Sequence, residues 1–447
     1  MKKRLGVVSV LLVAVMVFMA ACSSSNSNKE EASGSPSASN PASASPSGDS
    51  SKEPAKQVTL KLGLPGSYDV TSKEIVDGFI ASHPNIKVEI QEAPWGDFTS
   101  KISTQIAGNT APDVWLQENA AILGYGKRGV AEDLSQYIDR DLAAGDYIDA
   151  LFAAKTPEGK VWGVPHGINP IALAYNEDVF KQANIAAPTD DWTYQNLIDA
   201  SKQLTEKDKR FGYVGNSSIT TGWFPWIKQA GGSALDATLT KANFDNPNTV
   251  KGLSDLIAGI QGGYFTNADF VKANGGELEV FATGKAAMMM FQYSQQVSIN
   301  DKFPDTNWNV VKVPKAADGN RYVPMVTNSW LIYSKASQDA KDAAWEFLKY
   351  YLNEESQAIV AKSGSTLPVR KSALDLLKDT QTKPLNKAAY TEGIAEGGVT
   401  LDENASWSEW RLKVQQVVNE MVAGNVKVED GAKTIQTEVQ KVLDDNA

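Results

Sequence analysis

The sequence predicts an α/β protein in which mainly parallel, doubly wound sheets are flanked by helices and divided between two lobes. Two observations predict this fold class. Segments with the two-residue hydrophobic period of strands alternate with segments that have the longer period of helices, which is the order of βαβ units. The chain has 447 residues, and its globular composition continues for about 390 of them, which is more than one hydrophobic core normally organises.

The globular region opens with a strand, a helix and a second strand. Apolar residues alternate with polar or small ones from 58 to 64, and Pro65-Gly66 ends this run. A helix is predicted from about Ser72, and it stops before His83-Pro84 because the residue before a proline avoids the α region. Alternation returns from Ile86 to Ile90, which predicts the second strand.

The alternation continues along the rest of the chain. A helix is predicted from Thr99 to Ala107, and Val114-Trp115-Leu116 is predicted to be a short buried strand. Ile171 to Tyr175 is predicted to be a further strand. Later helices are predicted near 178–183, at 194–204 with Thr193 as the N-terminal cap, from about 249 to Gly262-Gly263, and along apolar stripes at 410–421 and 428–442.

Residues 1–21 have the pattern of an export signal peptide. Lys2-Lys3-Arg4 precedes an apolar run that ends in small residues before Cys22, the only cysteine. This pattern resembles a bacterial lipoprotein signal, although that signal usually has Leu where this chain has Met19. In such proteins the cysteine becomes the mature N terminus and carries a diacylglycerol anchor. A retained membrane helix stays open as an alternative, since the run is near the lower length limit for spanning.

Residues 22–56 are predicted to be the lipidated cysteine followed by a disordered tether. From Ser23 to Lys56 the chain has no aromatic residue and no Val, Leu or Ile, and it consists mostly of Ser, Ala, Pro, Asn and Gly. As a flexible coil this segment would reach about 30 Å. Such a tether suits the thick wall of a Gram-positive-type surface.

Composition excludes several classes of partner. The formal charge of −10, without a basic stripe, argues against a nucleic-acid partner. A single cysteine excludes intrachain disulfides and cysteine-based zinc sites, and two histidines, His83 and His166, argue against a histidine-rich metal site. We therefore predict no metal and no cofactor.

No catalytic residues are predicted, because no nucleophile elbow, zinc-protease motif, phosphate loop or dinucleotide fingerprint occurs. A glycosidase needs only two suitably placed carboxylates, and 53 acidic residues leave that possibility open.

The tryptophans point to a different chemistry. Indole faces stack on the C–H patches of sugar rings, while the sugar hydroxyls need nearby Asp, Asn, Glu or Gln. Those predicted in loops beside polar residues are Trp95, Trp223, Trp226, Trp330, Trp407 and Trp410. Those predicted to be core or lobe packing are Trp162, Trp192, Trp308 and Trp345.

Several short motifs follow one another in a set order. They are Phe79 with 83–88, Lys101 with 107–108 and 111–114, Gly163-Val164-Pro165 with 174–176, Ala230-Gly231-Gly232, 281–288 and 343–348. Together they resemble the extracellular solute-binding lipoproteins of bacterial ABC importers, in the sugar-binding family that includes maltose-binding protein. The resemblance covers most of residues 57–445.

The resemblance implies a two-lobed, type II periplasmic-binding-protein-like fold with the ligand cleft between the lobes. The implied hinge crossings lie near 167–173, 326–331 and 366–376. The implied solute-binding domain, 57–447, then consists of an N-lobe at about 57–168 and 330–370 and a C-lobe at about 172–327 and 375–447.

The resemblance also places ligand contacts on loops that line the cleft. Of the two late tryptophans, Trp407 is preferred because Trp410 fits the helical stripe. His166 stays open between ligand contact and hinge packing, whereas Asp113 is expected to brace the backbone at a strand start. The implied ligand-binding residues are Trp95, Gln117, Glu118, Asn119, His166, Asn169, Trp223, Phe224, Gln292, Tyr293, Asn328, Trp330, Trp407 and Arg411.

The function implied by the resemblance is capture of a sugar or oligosaccharide by hinge closure and its delivery to an ABC permease. The protein would be a monomer held by its lipid at Cys22 on the extracellular face of the cytoplasmic membrane. The chain departs from maltose-binding protein at nearly every contact position, so maltose itself is not implied. Two alternatives stay open: a tethered polysaccharide-degrading enzyme, and an importer component for a non-sugar solute.

Overall fold

A computed structural model describes residues 56–66, 70–142, 146–147, 159–207, 209–379 and 381–446. The predicted signal peptide, Cys22 and the tether up to residue 55 lie outside these residues, as does the side chain of Trp95.

The strands of the described residues form one nine-stranded sheet. Their bounds are β1 Val58–Pro65, β2 Ile86–Ala93, β3 Val114–Glu118, β4 Val164–Asn176, β5 Phe211–Tyr213, β6 Ala286–Gln292, β7 Trp308–Val311, β8 Val323–Ile332 and β9 Gly398–Val399. The strand order is β2-β1-β3-β8-β4-β6-β5, with β7 beside β4 and β9 beside β8.

The sheet is mixed in direction. β1 runs parallel to β2 and β3, β5 runs parallel to β6, and β8 runs parallel to β9. The two long strands β4 and β8 run antiparallel to each other, β8 is antiparallel to β3, and β4 is antiparallel to β6 and β7. The predicted α/β class is confirmed, but the centre of the sheet is antiparallel and not parallel as predicted. The sequence did not reveal this, because hydrophobic periodicity identifies strands without indicating their direction.

Strand β4 joins two halves of the sheet. It pairs with β8 from Val164 to Pro170 and with β6 from Ile171 onward. We call β1, β2, β3, β8 and the start of β4 the first sheet half, and the end of β4 with β5, β6 and β7 the second sheet half. The change of partner lies inside the range predicted for the first hinge crossing, 167–173. The lobe boundaries themselves stay a prediction.

Helices cover both sheet halves. Their bounds are α1 Val70–Ser82, α2 Trp95–Ala107, α3 Asn119–Lys127, α4 Ser135–Asp141, α5 Glu177–Gln182, α6 Tyr194–Leu204, α7 Phe224–Gln229, α8 Pro247–Gln261, α9 Ala268–Ala273, α10 Glu277–Ala282, α11 Gln295–Lys302, α12 Gln338–Tyr351, α13 Glu354–Ser363, α14 Lys371–Leu374, α15 Ala388–Gly397, α16 Trp407–Val422 and α17 Val428–Asp445. A π-helical turn, Ile219–Trp223, precedes α7, and a 3-10 turn, Asp375–Asp379, follows α14.

Local signals account for several helix ends. Helix α1 ends at Ser82, just before His83-Pro84, as predicted. The predicted cap Thr193 forms a reciprocal capping box with Asn196: the Asn196 N–H donates to Thr193 Oγ1 (3.3 Å) and the Thr193 N–H to Asn196 Oδ1 (2.9 Å). Helix α2 begins earlier than predicted, at Trp95, and Pro94 occupies its N-terminal cap position.

Apolar side chains fill the space between the helices and both sheet halves. One buried cluster extends from Leu62 of β1 to Phe291 of β6, and a second lies between the second sheet half and helices α8, α16 and α17. Trp308 and Trp345 are buried, as predicted, whereas Trp162 and Trp192 are partly buried. Among the described residues, no helix combines the length and apolar character needed to cross a membrane.

Candidate functional site

A cavity of about 300 Å³ lies where β1, β3, β4 and β8 meet helices α1, α12 and α13. This volume is at the lower end of the range for small-molecule sites, about 300 to 1,000 Å³. Its polar lining residues are Ser72, Glu118, His166, Asn169, Ser294, Asn328, Ser365 and Thr366. Its apolar and aromatic lining residues are Leu64, Pro65, Ile75, Val76, Leu116, Val326, Trp330, Phe347, Tyr351 and Val360.

Strand register places the central lining residues on one face. Glu118 lies opposite Asn328, and Leu116 lies opposite Trp330, in the antiparallel β3–β8 pair. Because side chains alternate between the two faces of a strand, these four share the face that borders the cavity. Gln117 and Asn119 do not line it. Gln117 is buried on the other face of β3, and the Asn119 amide, in the first turn of α3, donates to Thr327 Oγ1 (2.9 Å).

His166 sits in an irregularity of β4, where the pairing with β8 shifts between Pro165 and Gly167. Such a bulge re-aims a side chain. The His166 ring stacks on Tyr351 with centroids 5.3 Å apart and meets Trp330 edge-on at 5.7 Å. His166 therefore packs on aromatic rings beside the first predicted hinge crossing and also lines the cavity. Hinge packing and ligand contact thus both stay compatible with its position.

A third segment meets β4 beside the cavity. Thr366 Oγ1 donates to the carbonyl oxygen of Ile168 (2.9 Å), and the Leu367 N–H donates to the same oxygen (2.9 Å). Gly167 permits this approach, because a Cβ there would lie 2.3 Å from Thr366 Oγ1. The three segments predicted as hinge crossings thus come together at this cavity.

Asn169 is held by Ser294, in the loop between β6 and α11. Its side-chain amide donates to Ser294 Oγ (2.9 Å), and its Oδ1 accepts from the Ser294 N–H (2.9 Å). Ser294 was not predicted, although it directly follows the predicted residues Gln292 and Tyr293. Those two do not line the cavity. The Tyr293 ring is buried against Tyr390 at 5.2 Å, and burial raises the pKa of its phenol to about 12.

Of the other predicted aromatic contacts, Trp223, Phe224 and Trp407 do not line the cavity either. Trp223 and Phe224 are both buried, at 1% and 0% exposure, where the chain enters α7, and Trp223 also packs on Phe244. Trp407 is buried and meets Trp410 edge-on at 4.8 Å. These side chains are enclosed in the second apolar cluster, so solvent reaches little of their faces in this conformation.

A second polar group lies around Glu403, in the loop between β9 and α16. Asp402 is fixed there because its Oδ2 accepts from the Ala234 N–H (2.7 Å). Burial, together with the charges of Glu118 and Asp402, raises the pKa of Glu403 to about 8, and the charge of Arg411 opposes this rise. Glu118, which lines the cavity, therefore also acts electrostatically on this carboxyl group. No sequence motif singled out Glu403.

The site combines hydrogen-bonding side chains with aromatic rings. Glu118 is the acidic residue of the cavity lining, and no lysine or arginine of the described residues lines it. Within the same described part of the chain, no group of three or more His, Cys, Asp and Glu side chains is placed to hold a metal ion. Such a lining suits a neutral, hydroxyl-rich ligand.

Comparison with known proteins shows which protein family the chain resembles in sequence. The family model described as bacterial extracellular solute-binding protein matches residues 74–388. A putative binding protein of Brucella abortus is 23% identical over 321 residues, 71% of this chain and 77% of that protein. A maltodextrin-binding protein of Bacillus subtilis is 23% identical over 342 residues, 72% of this chain and 77% of that protein.

Among solved structures, an ABC substrate-binding protein of Listeria monocytogenes in complex with cycloalternan has a TM-score of 0.79 at 24% identity. The match covers 87% of this chain and 100% of that chain. This similarity confirms the two-lobed α/β fold predicted from the sequence.

Proposed function

Given that this chain belongs to the bacterial extracellular solute-binding proteins, we propose that it captures a sugar or short oligosaccharide and delivers it to the permease of an ABC importer. The observation that carries the proposal is the cavity at the meeting point of the three predicted hinge segments, where polar and aromatic side chains of the first sheet half meet Ser294 of the loop that follows β6. A ligand held there would contact the elements that must move when the lobes close.

A neutral sugar suits the chemistry of this cavity. Asn169, Ser294 and Asn328 offer neutral amide and hydroxyl groups, and Glu118 can accept from sugar hydroxyls. A maltodextrin-binding relative and a cycloalternan-bound structural neighbour support the same ligand class. The cavity volume of about 300 Å³ favours a small sugar or the end of a longer one.

Hinge closure would provide the signal to the permease. The proposed N-lobe is 57–168 and 330–370, and the proposed C-lobe is 172–327 and 375–447. A ligand that contacts both lobes binds the closed form more tightly, so it shifts the equilibrium toward that form by its differential affinity. This mechanism requires no covalent chemistry, and we propose that the protein is a monomeric binding protein and not an enzyme.

We further propose that Cys22 carries a lipid that anchors the protein on the extracellular face of the cytoplasmic membrane. The support is the sequence pattern of residues 1–22, which resembles a lipoprotein signal. Phase partition in Triton X-114 tests it: the exported protein should enter the detergent phase, and Cys22→Ser should move it to the aqueous phase. Equal partition of both proteins would contradict the anchor.

A thermal-shift screen of the full chain tests the ligand. Glucose, maltose, maltotriose and galactose would be compared with glycerol 3-phosphate as an anionic non-sugar control. A ligand at about 100 times its dissociation constant adds about 2.7 kcal/mol to the free energy of unfolding. Stabilisation by a sugar, with the same sugar recovered unchanged, supports the proposal. Stabilisation by glycerol 3-phosphate alone, or cleavage of maltotriose, would overturn it.

A further inference from the structure

Helix α3 has two faces with different partners. Ile122 and Tyr125, three residues apart, are buried in a cluster with Trp115 of the first sheet half. Ala120, Gly124 and Lys127 follow the four- and three-residue spacing that defines another face of the same helix. This second face meets elements that pack on the second sheet half.

Each residue of the second face makes a specific contact. Ala120 is buried in the apolar cluster that also contains Leu401 and Trp407. A Cβ on Gly124 would lie 2.9 Å from the carbonyl oxygen of Ala405. Lys127 Nζ donates to the backbone oxygen of Asn446 (2.6 Å). Helix α3 therefore bridges from the first sheet half to the loop 400–406 and to the end of α17.

A carboxyl pair lies at the start of this contact. Glu118 is the N-terminal cap residue of α3, and Glu403 belongs to the loop 400–406. The neighbours of Glu403 hold that loop in place: Asp402 accepts from the Ala234 N–H (2.7 Å), and Asn404 Oδ1 accepts from Trp410 Nε1 (3.1 Å). Glu118 is fixed to α3, and Ala405 of the same loop as Glu403 meets Gly124 of that helix, so separation of α3 from the loop would also move Glu118 away from Glu403.

We propose that helix α3 is a latch which holds the two lobes closed, and that the Glu118–Glu403 pair makes this latch open as the pH rises. The proposal rests on the proposed function, since it describes the regulation of the same cleft. The latch would be a second contact between the lobes, separate from the strands that join them.

The direction of the pH effect follows from proton binding. Burial, with the charges of Glu118 and Asp402, raises the pKa of Glu403 from 4.5 to about 8, and Arg411 of α16 opposes this rise. Separation of the lobes would return the pKa of the Glu403 carboxyl group toward its ordinary value, so the closed form binds the proton of this group more tightly than the open form does. Closure is then most favourable below about pH 4.5 and weakens progressively as pH rises to about 8.

Interlobe distances in the ligand-free protein test the proposal. The full chain would carry Cys22→Ser, with spin labels at Lys101→Cys on α2 and Lys433→Cys on α17, both exposed positions. Double electron–electron resonance at pH 5 and pH 9 reports the closed and open populations. We expect the ratio of closed to open to fall by at least about tenfold between these pH values.

Variants separate the carboxyl pair from other titrating groups. Glu403→Gln should abolish the pH dependence, and Glu118→Gln should extend closure to higher pH. Glu355→Gln, an exposed acid on α13, should behave as the unmodified protein. The proposal would be overturned if the ratio of closed to open populations did not change with pH, or if it changed in Glu403→Gln as much as in the unmodified protein. Because no ligand is added, these outcomes do not depend on whether the protein binds a sugar.

Discussion

The Tyr351 hydroxyl donates to the carbonyl oxygen of His166 (3.0 Å), while the two rings stack with an interplanar angle of 19°. One residue of α12 thus holds both the backbone and the side chain of the irregular turn in β4. The irregularity shifts the pairing of β4 with β8 and points His166 at the cavity. The geometry of the candidate site therefore depends on a helix whose sequence pattern predicts only core packing.

Replacing Tyr351 with Phe removes the hydrogen bond and keeps the stacked ring. We expect the free energy of unfolding to fall by about 1 to 2 kcal/mol, because a partly buried carbonyl loses its side-chain donor. Tyr350→Phe on the same helix is the matched control and should change stability by less than half as much. Denaturant unfolding of both variants provides the comparison. Equal losses of unfolding free energy in the two variants would show that the hydrogen bond to His166 does not contribute to stability.

Gly167→Ala should destabilise the protein by about 1 to 3 kcal/mol, because the added methyl would meet Thr366 Oγ1 at 2.3 Å and the Leu367 oxygen at 2.9 Å. Gly108→Ala is the control, since its nearest contact would be an ordinary 3.6 Å. Adding Thr366→Ala to the first variant should restore part of the lost stability. Thermal melts that show no difference between the two glycine positions would contradict the predicted crowding.

Asn169→Ala should weaken binding of a sugar identified by the screen. The variant removes a cavity-lining amide and both hydrogen bonds to Ser294, a loss of about 1 to 3 kcal/mol in binding. Asn419→Ala, at an exposed position of α16, should leave affinity unchanged. Isothermal titration calorimetry measures both, and wild-type affinity in Asn169→Ala would remove this residue from the proposed site.

Gly124→Ala should affect the stability of the fold and the closure of the lobes in opposite directions. Alanine favours a helix over glycine by up to about 1 kcal/mol, so the free energy of unfolding should stay equal or increase. The added methyl would nevertheless press on the Ala405 oxygen and weaken closure, which lowers sugar affinity. Gly393→Ala in α15, with an ordinary 3.5 Å contact, is the control for helix propensity. A variant that is both more stable and binds sugar as tightly as the wild type would argue against the close approach.

Lys387 predicts a pH dependence of stability. Its ammonium group donates to Pro384 O (3.0 Å) and Thr382 Oγ1 (3.2 Å), yet burial lowers its pKa from 10.5 to about 8. Between these values the unfolded chain binds more protons than the folded protein, so stability should rise with pH by about 1 kcal/mol per unit relative to Lys387→Met. Denaturant unfolding of both proteins from pH 7.5 to 9.5 tests this. A constant difference would show that Lys387 keeps an ordinary pKa.

Local sequence signals predicted the ends of elements, because caps and prolines act over a few residues. Thr193 and the segment His83-Pro84 are examples. The antiparallel centre of the sheet depends on which distant strands pair, and that information is not present in the periodicity of any one segment. The family resemblance supplied the two-lobed fold, which the structural comparison confirms.

Some predicted site residues line the cavity and others do not, and the alternation of side chains along a strand explains much of this difference. Glu118, His166, Asn169, Asn328 and Trp330 line the cavity, whereas neighbours taken from the same loops face away. Ser294 and Tyr351 enter the site through tertiary packing, which a motif does not record. Glu403 is one of 53 acidic residues, and its raised pKa, which comes from burial and neighbouring charges, distinguishes it only in the folded protein. Contact with ligand remains a prediction for every one of them.

The continuity of β4 has a mechanical consequence. Its backbone is hydrogen-bonded to β8 up to Pro170 and to β6 from Ile171, so no unpaired linker separates the two sets of bonds. A rotation of one lobe against the other must therefore be taken up as a gradual twist of a paired ribbon. Such a ribbon stores elastic energy that rises roughly with the square of the angle, and it returns when released, whereas a flexible linker would swing freely.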